Sequence, residues 1–184
     1  MVVFSGTDGT YERVMRLLLK STQEVRLMSV ERVRTYLKQW NLQDRIQEFE
    51  VSSATVELAA QAVGCEPARI AKTMSFLVDG KAVLIVLAGD VRIDNRKFKD
   101  RFHVKATMIR QDDVERYIGH PVGGVCPFDV KADVDVFLDD SMKRFEMVYP
   151  AAGSASSAVG LTLAELETAS GCSGWVDVSK PYEG

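Results

Sequence analysis

The chain has 184 residues, 46% of them hydrophobic and 27% charged, which is typical of a globular protein with one sizeable core. Its formal net charge of −3 argues against a general nucleic-acid coat, so any such contact has to use a local basic patch. Three cysteines and two histidines form no recognisable zinc set. Apolar runs are too short for a membrane span, and no signal cleavage site follows the N-terminus. We expect a cytoplasmic protein with reduced thiols, no metal, no cofactor and no membrane contact.

Two units are predicted along the chain. Residues 1–27 read as a helical extension and residues 28–184 as the main domain. The main domain begins with apolar residues at helical spacing, which indicate an amphipathic helix against the core. These residues are Val30, Val33, Leu37 and Trp40.

Hydroxyl-bearing residues then stand between a predicted strand over 46–51 and an alanine-rich helix over 56–63. Thr55 is a natural N-cap for that helix. Free amides at a helix N-terminus favour anions, so Ser52, Ser53 and Thr55 are candidate substrate contacts. The alternative is that they only cap the helix.

A β-hairpin is predicted where the turn Asp79-Gly80 joins apolar runs over 70–78 and 82–88. Lys72 lies on the same face of its first strand as three apolar side chains. An ammonium there must either reach out at the sheet edge or meet an anion, because burying it unpaired is costly. The three apolar residues are Met74, Phe76 and Val78.

The stretch from residue 92 to residue 110 is strongly basic, with a predicted helix over 94–101. Arg92, Arg96 and Lys97 are candidate contacts to a phosphate backbone. The alternative is a solvated helix face.

The remaining predicted elements bunch the strands together. This order favours an α+β domain with a mixed, curved sheet over a doubly wound fold. The elements are a strand over 104–109, a helix over 113–118 capped by Asp112, strands over 134–138 and 145–149, a helix over 163–169 with a capping box from Thr162 and Glu165, and a strand over 174–178.

The segment from Gly119 to Phe128 reads as a shaped loop, because it holds three glycines and two prolines. The Gly123-Gly124 amides are candidates for a nest around an anionic atom, the alternative being a plain turn. Cys126 has no visible base partner other than His120, so a nucleophilic role is not expected. His120 is a candidate substrate contact, as are Gly153 and Ser154 in a second loop of small residues.

Four segments carry a joint pattern: Ile70-Ala71-Lys72-Thr73, Gly89-Asp90, the loop from Gly119 to Phe128, and Tyr149-x-x-x-Gly153. Together they resemble the YbaK/EbsC family, which is related to the editing domain of bacterial prolyl-tRNA synthetase. The family's lysine falls on Lys72 and its glycine loop on residues 119–124. The sequence departs from the family pattern after Tyr149, where Ala151-Ala152 precede Gly153. It runs from about residue 29 to residue 177.

The resemblance implies a barrel-like domain that hydrolyses the ester of a mischarged tRNA without a metal. Gly123 and Gly124 would stabilise the oxyanion, and Lys72 would hold a phosphate or ribose oxygen, while water or a substrate group attacks. We expect a trans-editing deacylase for tRNA-Pro carrying Cys or Ala, with aminoacyl-tRNA and an aminoacyl-tRNA synthetase as partners. The alternatives are a non-catalytic module binding a tRNA 3′ end, a nucleotide or a protein, and a structural domain. Oligomeric state is left open.

Overall fold

The computed structural model describes residues 24, 25, 27–50 and 55–182. The candidate contacts Ser52 and Ser53 lie outside the described residues, and so does nearly all of the predicted extension over 1–27. Within the described part, no helix is long and apolar enough to cross a membrane.

Among the described residues, five α-helices form where the sequence supplies periodic apolar residues and caps. Thr55 accepts a hydrogen bond from the Leu58 amide, and Thr162 and Glu165 form the predicted capping box. The helices are α1 (27–37), α2 (Val56–Val63), α3 (Asn95–Phe102), α4 (Gln111–Ile118) and α5 (Leu163–Ser170). Short 3-10 turns cover Lys38–Trp40, Gln43–Arg45, Pro67–Arg69 and Asp140–Arg144.

The predicted cap of α4 is wrong. The helix begins at Gln111 with Arg110 at the N-cap position, and no side chain caps it. Asp112 instead lies in the first turn, where its negative charge interacts favourably with the helix dipole.

In the part of the chain that the structure describes, eleven strands complete the fold. They are β1 (Ile46–Glu48), β2 (Ile70–Val78), β3 (Lys81–Ala88), β4 (Val91–Ile93), β5 (Thr107–Met108), β6 (Asp135–Asp139), β7 (Met147–Pro150), β8 (Ser157–Val159), β9 (Leu161–Thr162), β10 (Gly174–Val176) and β11 (Ser179–Pro181). The predicted hairpin is confirmed, with Met74 opposite Ile85. Its turn residues Asp79 and Gly80 both have positive φ, as a type I′ turn requires.

The main sheet is mixed. Its strand order is β10-β6-β3-β2-β7-β9, with β5 paired to β2. The β2–β3 and β7–β9 pairs are antiparallel, whereas β3–β6 and β2–β7 are parallel. The sheet curves into a half-barrel, so the predicted α+β class with a mixed, curved sheet is confirmed.

Two smaller pairings, β1 with β8 and β4 with β11, hold the loops and the C-terminal segment to the main sheet. At its centre the sheet is fully apolar: residues 82–88 of β3 are all buried. Helix α1 packs on this core through Val30, Val33 and Leu37, which are buried as predicted. The fourth predicted residue, Trp40, lies in the 3-10 turn after the helix and is half-buried. This packing places α1 beside the glycine loop, where the Arg32 side chain of α1 contacts Gly119.

Candidate active site

A cavity of about 220 Å³ lies where α2, the start of β2 and the two small-residue loops meet. It brings together four predicted site residues from four separate segments: Thr55, Lys72, Gly123 and Ser154. The other lining residues are Val56, Ala59, Ile70, Ala71, Thr73, Tyr149, Ala151, Ala155, Ser157 and Ala158. Because these segments are far apart in sequence, only the folded chain creates the cavity.

Small side chains dominate the cavity wall, where five of the lining residues are alanine. Hydroxyls supply the polarity. Ser154 Oγ is engaged with Ser157 Oγ at 3.0 Å, and Thr55 Oγ1 accepts from the Leu58 amide at 3.3 Å. Thr73 Oγ1 is buried and has no hydrogen-bond partner among the described residues. The cavity therefore suits a small, partly polar group.

Lys72 is half-buried at the edge of the cavity, and its ammonium is bonded to neutral oxygens. Nζ donates to the carbonyl of Gly89 at 3.2 Å, to the carbonyl of Val91 and to the Tyr182 hydroxyl at 3.0 Å. No carboxylate in the described part of the chain forms an ion pair with it. Within the described part of the chain its positive charge therefore has no acidic ion-pair partner, which leaves the charge available to attract an anion.

The glycine loop presents Gly123, and not Gly124, to the cavity. Gly123 has φ +83°, a conformation that L side chains rarely adopt. The Gly124 amide already donates to the Pro121 carbonyl at 3.0 Å, and a Cβ on Gly124 would lie 2.3 Å from the Gly153 carbonyl oxygen. The two loops are therefore in backbone contact, and of the two glycines predicted to form a nest, Gly123 lines the cavity and Gly124 does not.

Gly153 has a packing role in the structure. It is buried with φ +93°, and a Cβ there would lie 2.6 Å from the Ser29 carbonyl oxygen. It does not line the cavity, whereas its neighbour Ser154 does.

His120 lies beneath the glycine loop, away from the cavity lining, and is fully buried. Its Nε2 is 2.7 Å from the Phe128 carbonyl oxygen, so this nitrogen carries the proton. Nδ1 is then free to accept from Arg32 Nη2 at 3.3 Å. The imidazole thus fixes the loop from inside, and the structure does not place it in contact with a substrate in the cavity.

Arg32 of α1 was not predicted as a site residue. Its guanidinium donates to the Gly119 carbonyl at 2.7 Å and pairs with Asp129 Oδ2 at 2.7 Å. Arg32 therefore holds together the two ends of the glycine loop, at Gly119 and next to Phe128. No local pattern in the sequence indicates this contact, because the loop lies about 90 residues further along the chain.

Cys126 belongs to the same buried network, with Sγ 3.6 Å from His120 Nε2. Complete burial raises the pKa of its thiol to about 12. The thiol stays protonated at neutral pH, in agreement with the expectation that Cys126 is not a nucleophile.

Burial, with the nearby Arg32 guanidinium as a smaller cause, lowers the pKa of His120 below its ordinary value. The His120 imidazole therefore binds a proton more readily in the unfolded chain than in the folded chain. Protonation of His120 leaves the free energy of unfolding unchanged above about pH 6.5 and lowers it as the pH falls below that value. Urea unfolding between pH 5 and 8 measures this. His120→Asn should remove much of the dependence, whereas His103→Asn, on the surface, should retain it. A flat wild-type profile would contradict this account.

The basic segment forms β4 and α3, and its charges differ in their surroundings. Lys97 Nζ bonds to Asp177 Oδ1 at 2.7 Å and to the Ser179 carbonyl at 2.9 Å, so it holds the C-terminal segment. Arg96 and Lys99 are exposed, and Arg92 is half-buried.

The half-barrel sheet has the fold of structurally characterised relatives of the editing type. The structure superposes with a TM-score of 0.75 and 25% identity on a protein described provisionally as a trans-editing enzyme for prolyl-tRNA synthetase. The alignment covers 83% of this chain and 97% of that one. The aminoacyl-tRNA editing domain family matches residues 50–169, and the chain belongs to this family.

Two curated relatives extend this result. The chain is 48% identical over 157 residues to the uncharacterized protein YwhH of Bacillus subtilis, covering 85% of this chain and all of that protein. It is also 30% identical over 92 residues to proline–tRNA ligase of Caldicellulosiruptor bescii, but this covers only 15% of the ligase. The resemblance to the prolyl-tRNA synthetase editing domain is confirmed.

Proposed function

We propose that the protein is a trans-editing deacylase that hydrolyses the ester of a mischarged tRNA, namely tRNA-Pro carrying alanine or cysteine. The observation that carries this proposal is the meeting of Lys72, Gly123 and Ser154 in one cavity of about 220 Å³. Membership of the aminoacyl-tRNA editing domain family supports the reaction class. The likeness to proline–tRNA ligases supports the choice of tRNA.

In this proposal Gly123 stabilises the transition state and Lys72 positions the substrate. As water attacks the ester carbonyl, negative charge develops on its oxygen, and the Gly123 amide donates to it. Lys72 holds a phosphate or ribose oxygen of the terminal nucleotide and so positions the ester. The carbon–oxygen bond to the ribose then breaks, and the ribose oxygen takes a proton.

An enzyme nucleophile is not part of the proposal. His120 is fully buried, and its Nε2 proton is used by the Phe128 carbonyl. The Ser154 hydroxyl is bonded to Ser157 rather than to a base. The attacking group is therefore water or a hydroxyl of the substrate itself.

The size of the cavity supports a small aminoacyl group. Alanines from α2, β2 and the second loop line the cavity, whose volume is about 220 Å³. A single methylene in such a site changes binding by about 1–3 kcal/mol, so alanine and cysteine need direct comparison. Incubation with alanyl- and cysteinyl-tRNA-Pro, with prolyl-tRNA-Pro as the matched control, tests the proposal. Loss of one mischarged ester supports it; tRNA binding without hydrolysis of any ester favours the non-catalytic binding module.

The exposed side of α3 is the proposed contact for the tRNA backbone. Since Lys97 is tied to Asp177, the sharper test is Arg96→Glu with Lys99→Glu, which changes only exposed side chains. We expect weaker tRNA binding and a salt slope lower by about 1 for each lost phosphate contact, with hydrolysis of an aminoacyl-adenosine unchanged. Binding titrations at several salt concentrations measure this.

The matched control is Lys38→Glu with Lys81→Glu, the same charge change at exposed positions elsewhere. If both double variants reduce the salt slope equally, the basic segment is a solvated face and not a specific contact.

A further inference from the structure

We propose that Tyr182 masks Lys72 and competes with the substrate for it: the Tyr182 hydroxyl occupies the place on the ammonium that an oxygen of the substrate takes. The inference rests on the proposed function, because it assumes that Lys72 binds substrate. It assigns a role to a residue of the C-terminal segment, which lies outside the matched range of residues 50–169.

The three N–H groups of the Lys72 ammonium are matched by three acceptors. Two are the backbone carbonyls of Gly89 and Val91, and the third is the Tyr182 hydroxyl at 3.0 Å. The ammonium also lies 5.0 Å from the centre of the Tyr182 ring. Since no donor is left over, Lys72 has to release one partner before it binds a substrate oxygen.

The two carbonyls are held by the fold. A Cβ on Gly89 would lie 2.1 Å from the Pro67 carbonyl oxygen, which shows how closely the backbones are packed there. Val91 belongs to β4, where it lies opposite Pro181 of β11. Tyr182 follows β11 and its side chain is free to rotate into solvent, since the residue is 57% exposed. Tyr182 is therefore the exchangeable partner.

The backbone that delivers Tyr182 is firmly anchored. Asp139 is fully buried and accepts hydrogen bonds from the Val178 amide at 3.0 Å and from Ser179 Oγ at 2.6 Å. Lys97 adds a bond to the Ser179 carbonyl. A buried carboxylate with several donors holds its partners strongly. The contact between Tyr182 and Lys72 thus follows from the placement of β11, and a side-chain rotation is enough to break it.

The consequence is a competition that lowers apparent affinity. A substrate that needs a free Lys72 donor binds only the fraction of protein in which Tyr182 has released Lys72. Its apparent Kd is therefore the intrinsic Kd divided by that fraction. Tyr182→Phe removes the hydroxyl but keeps the ring over the ammonium. We expect KM for an aminoacyl-adenosine ester to fall about two- to tenfold with kcat unchanged, the effect of losing one competing hydrogen bond.

The experiment compares wild type, Tyr182→Phe and the matched control Tyr117→Phe on α4. Steady-state hydrolysis gives KM and kcat separately. Amine-reactive labelling of Lys72, quantified by peptide mass spectrometry against the exposed Lys81, gives a readout that needs no activity. Faster Lys72 labelling and a lower KM in Tyr182→Phe alone support the proposal. Unchanged labelling and KM, or a lower kcat, overturn it. If wild type hydrolyses no ester, the proposed function fails, while the labelling still decides whether Tyr182 masks Lys72.

Discussion

Lys72→Ala is expected to lower kcat/KM for deacylation by about 100-fold, the loss typical of a misplaced reacting group, because Lys72 positions the ester through a phosphate or ribose oxygen. Lys72 is the cationic group among the residues that line the cavity, and no described carboxylate neutralises it. The substitution also leaves the carbonyls of Gly89 and Val91 without this donor, which costs about 1–3 kcal/mol of stability. Deacylation rates, read together with urea unfolding, separate the two effects.

Lys81→Ala is the matched control, because Lys81 lies exposed at the hairpin turn. It should leave both turnover and stability near the wild-type values. Near-normal turnover by a folded Lys72→Ala variant would remove Lys72 from the mechanism.

Gly124→Ala is expected to damage both the fold and the activity. The added Cβ would lie 2.3 Å from the Gly153 carbonyl oxygen, and a backbone atom cannot rotate away as a side chain does. We expect a loss of stability of about 3 kcal/mol, at the upper end of overpacking effects. The glycine loop has to shift, which moves the Gly123 amide and lowers kcat/KM by roughly 100-fold. Thermal unfolding and deacylation assays on the same preparation measure these losses.

Gly171→Ala provides the comparison. Gly171 ends α5 with φ +57° and has nothing within 4 Å of its Cβ position, so only backbone strain of about 1 kcal/mol is expected, with activity retained. Equal losses of activity in the two variants would show that the contact between the loops does not shape the site.

The parts of the fold that follow from short-range chemistry were predictable from the sequence. The cap at Thr55, the hairpin turn at Asp79-Gly80 and the capping box of α5 each depend on residues only a few positions apart. The strands β4, β8, β9 and β11 were not predicted. Each has only two or three residues, too few to show a periodic pattern. The partners of β4, β8 and β11 also lie far away in sequence.

The same distinction holds for the site. Lys72 was predictable as a site residue because the local alternation places a charged side chain on the apolar face of a strand. Arg32, Asp139 and Tyr182 act through partners roughly 40 to 110 positions away, which local patterns do not reveal. His120 was predicted to contact substrate because it lies in the glycine loop, but in the folded chain it is buried against the Phe128 carbonyl.

The most direct measurement is single-turnover loss of the ester from alanyl- and cysteinyl-tRNA-Pro, followed with wild type, with Lys72→Ala and with buffer alone. The proposed function predicts that wild type removes at least one of these esters well above the buffer rate, that prolyl-tRNA-Pro is spared, and that Lys72→Ala returns the rate close to that of buffer. Ester loss at the buffer rate for both mischarged tRNAs, with tRNA binding intact, would contradict it.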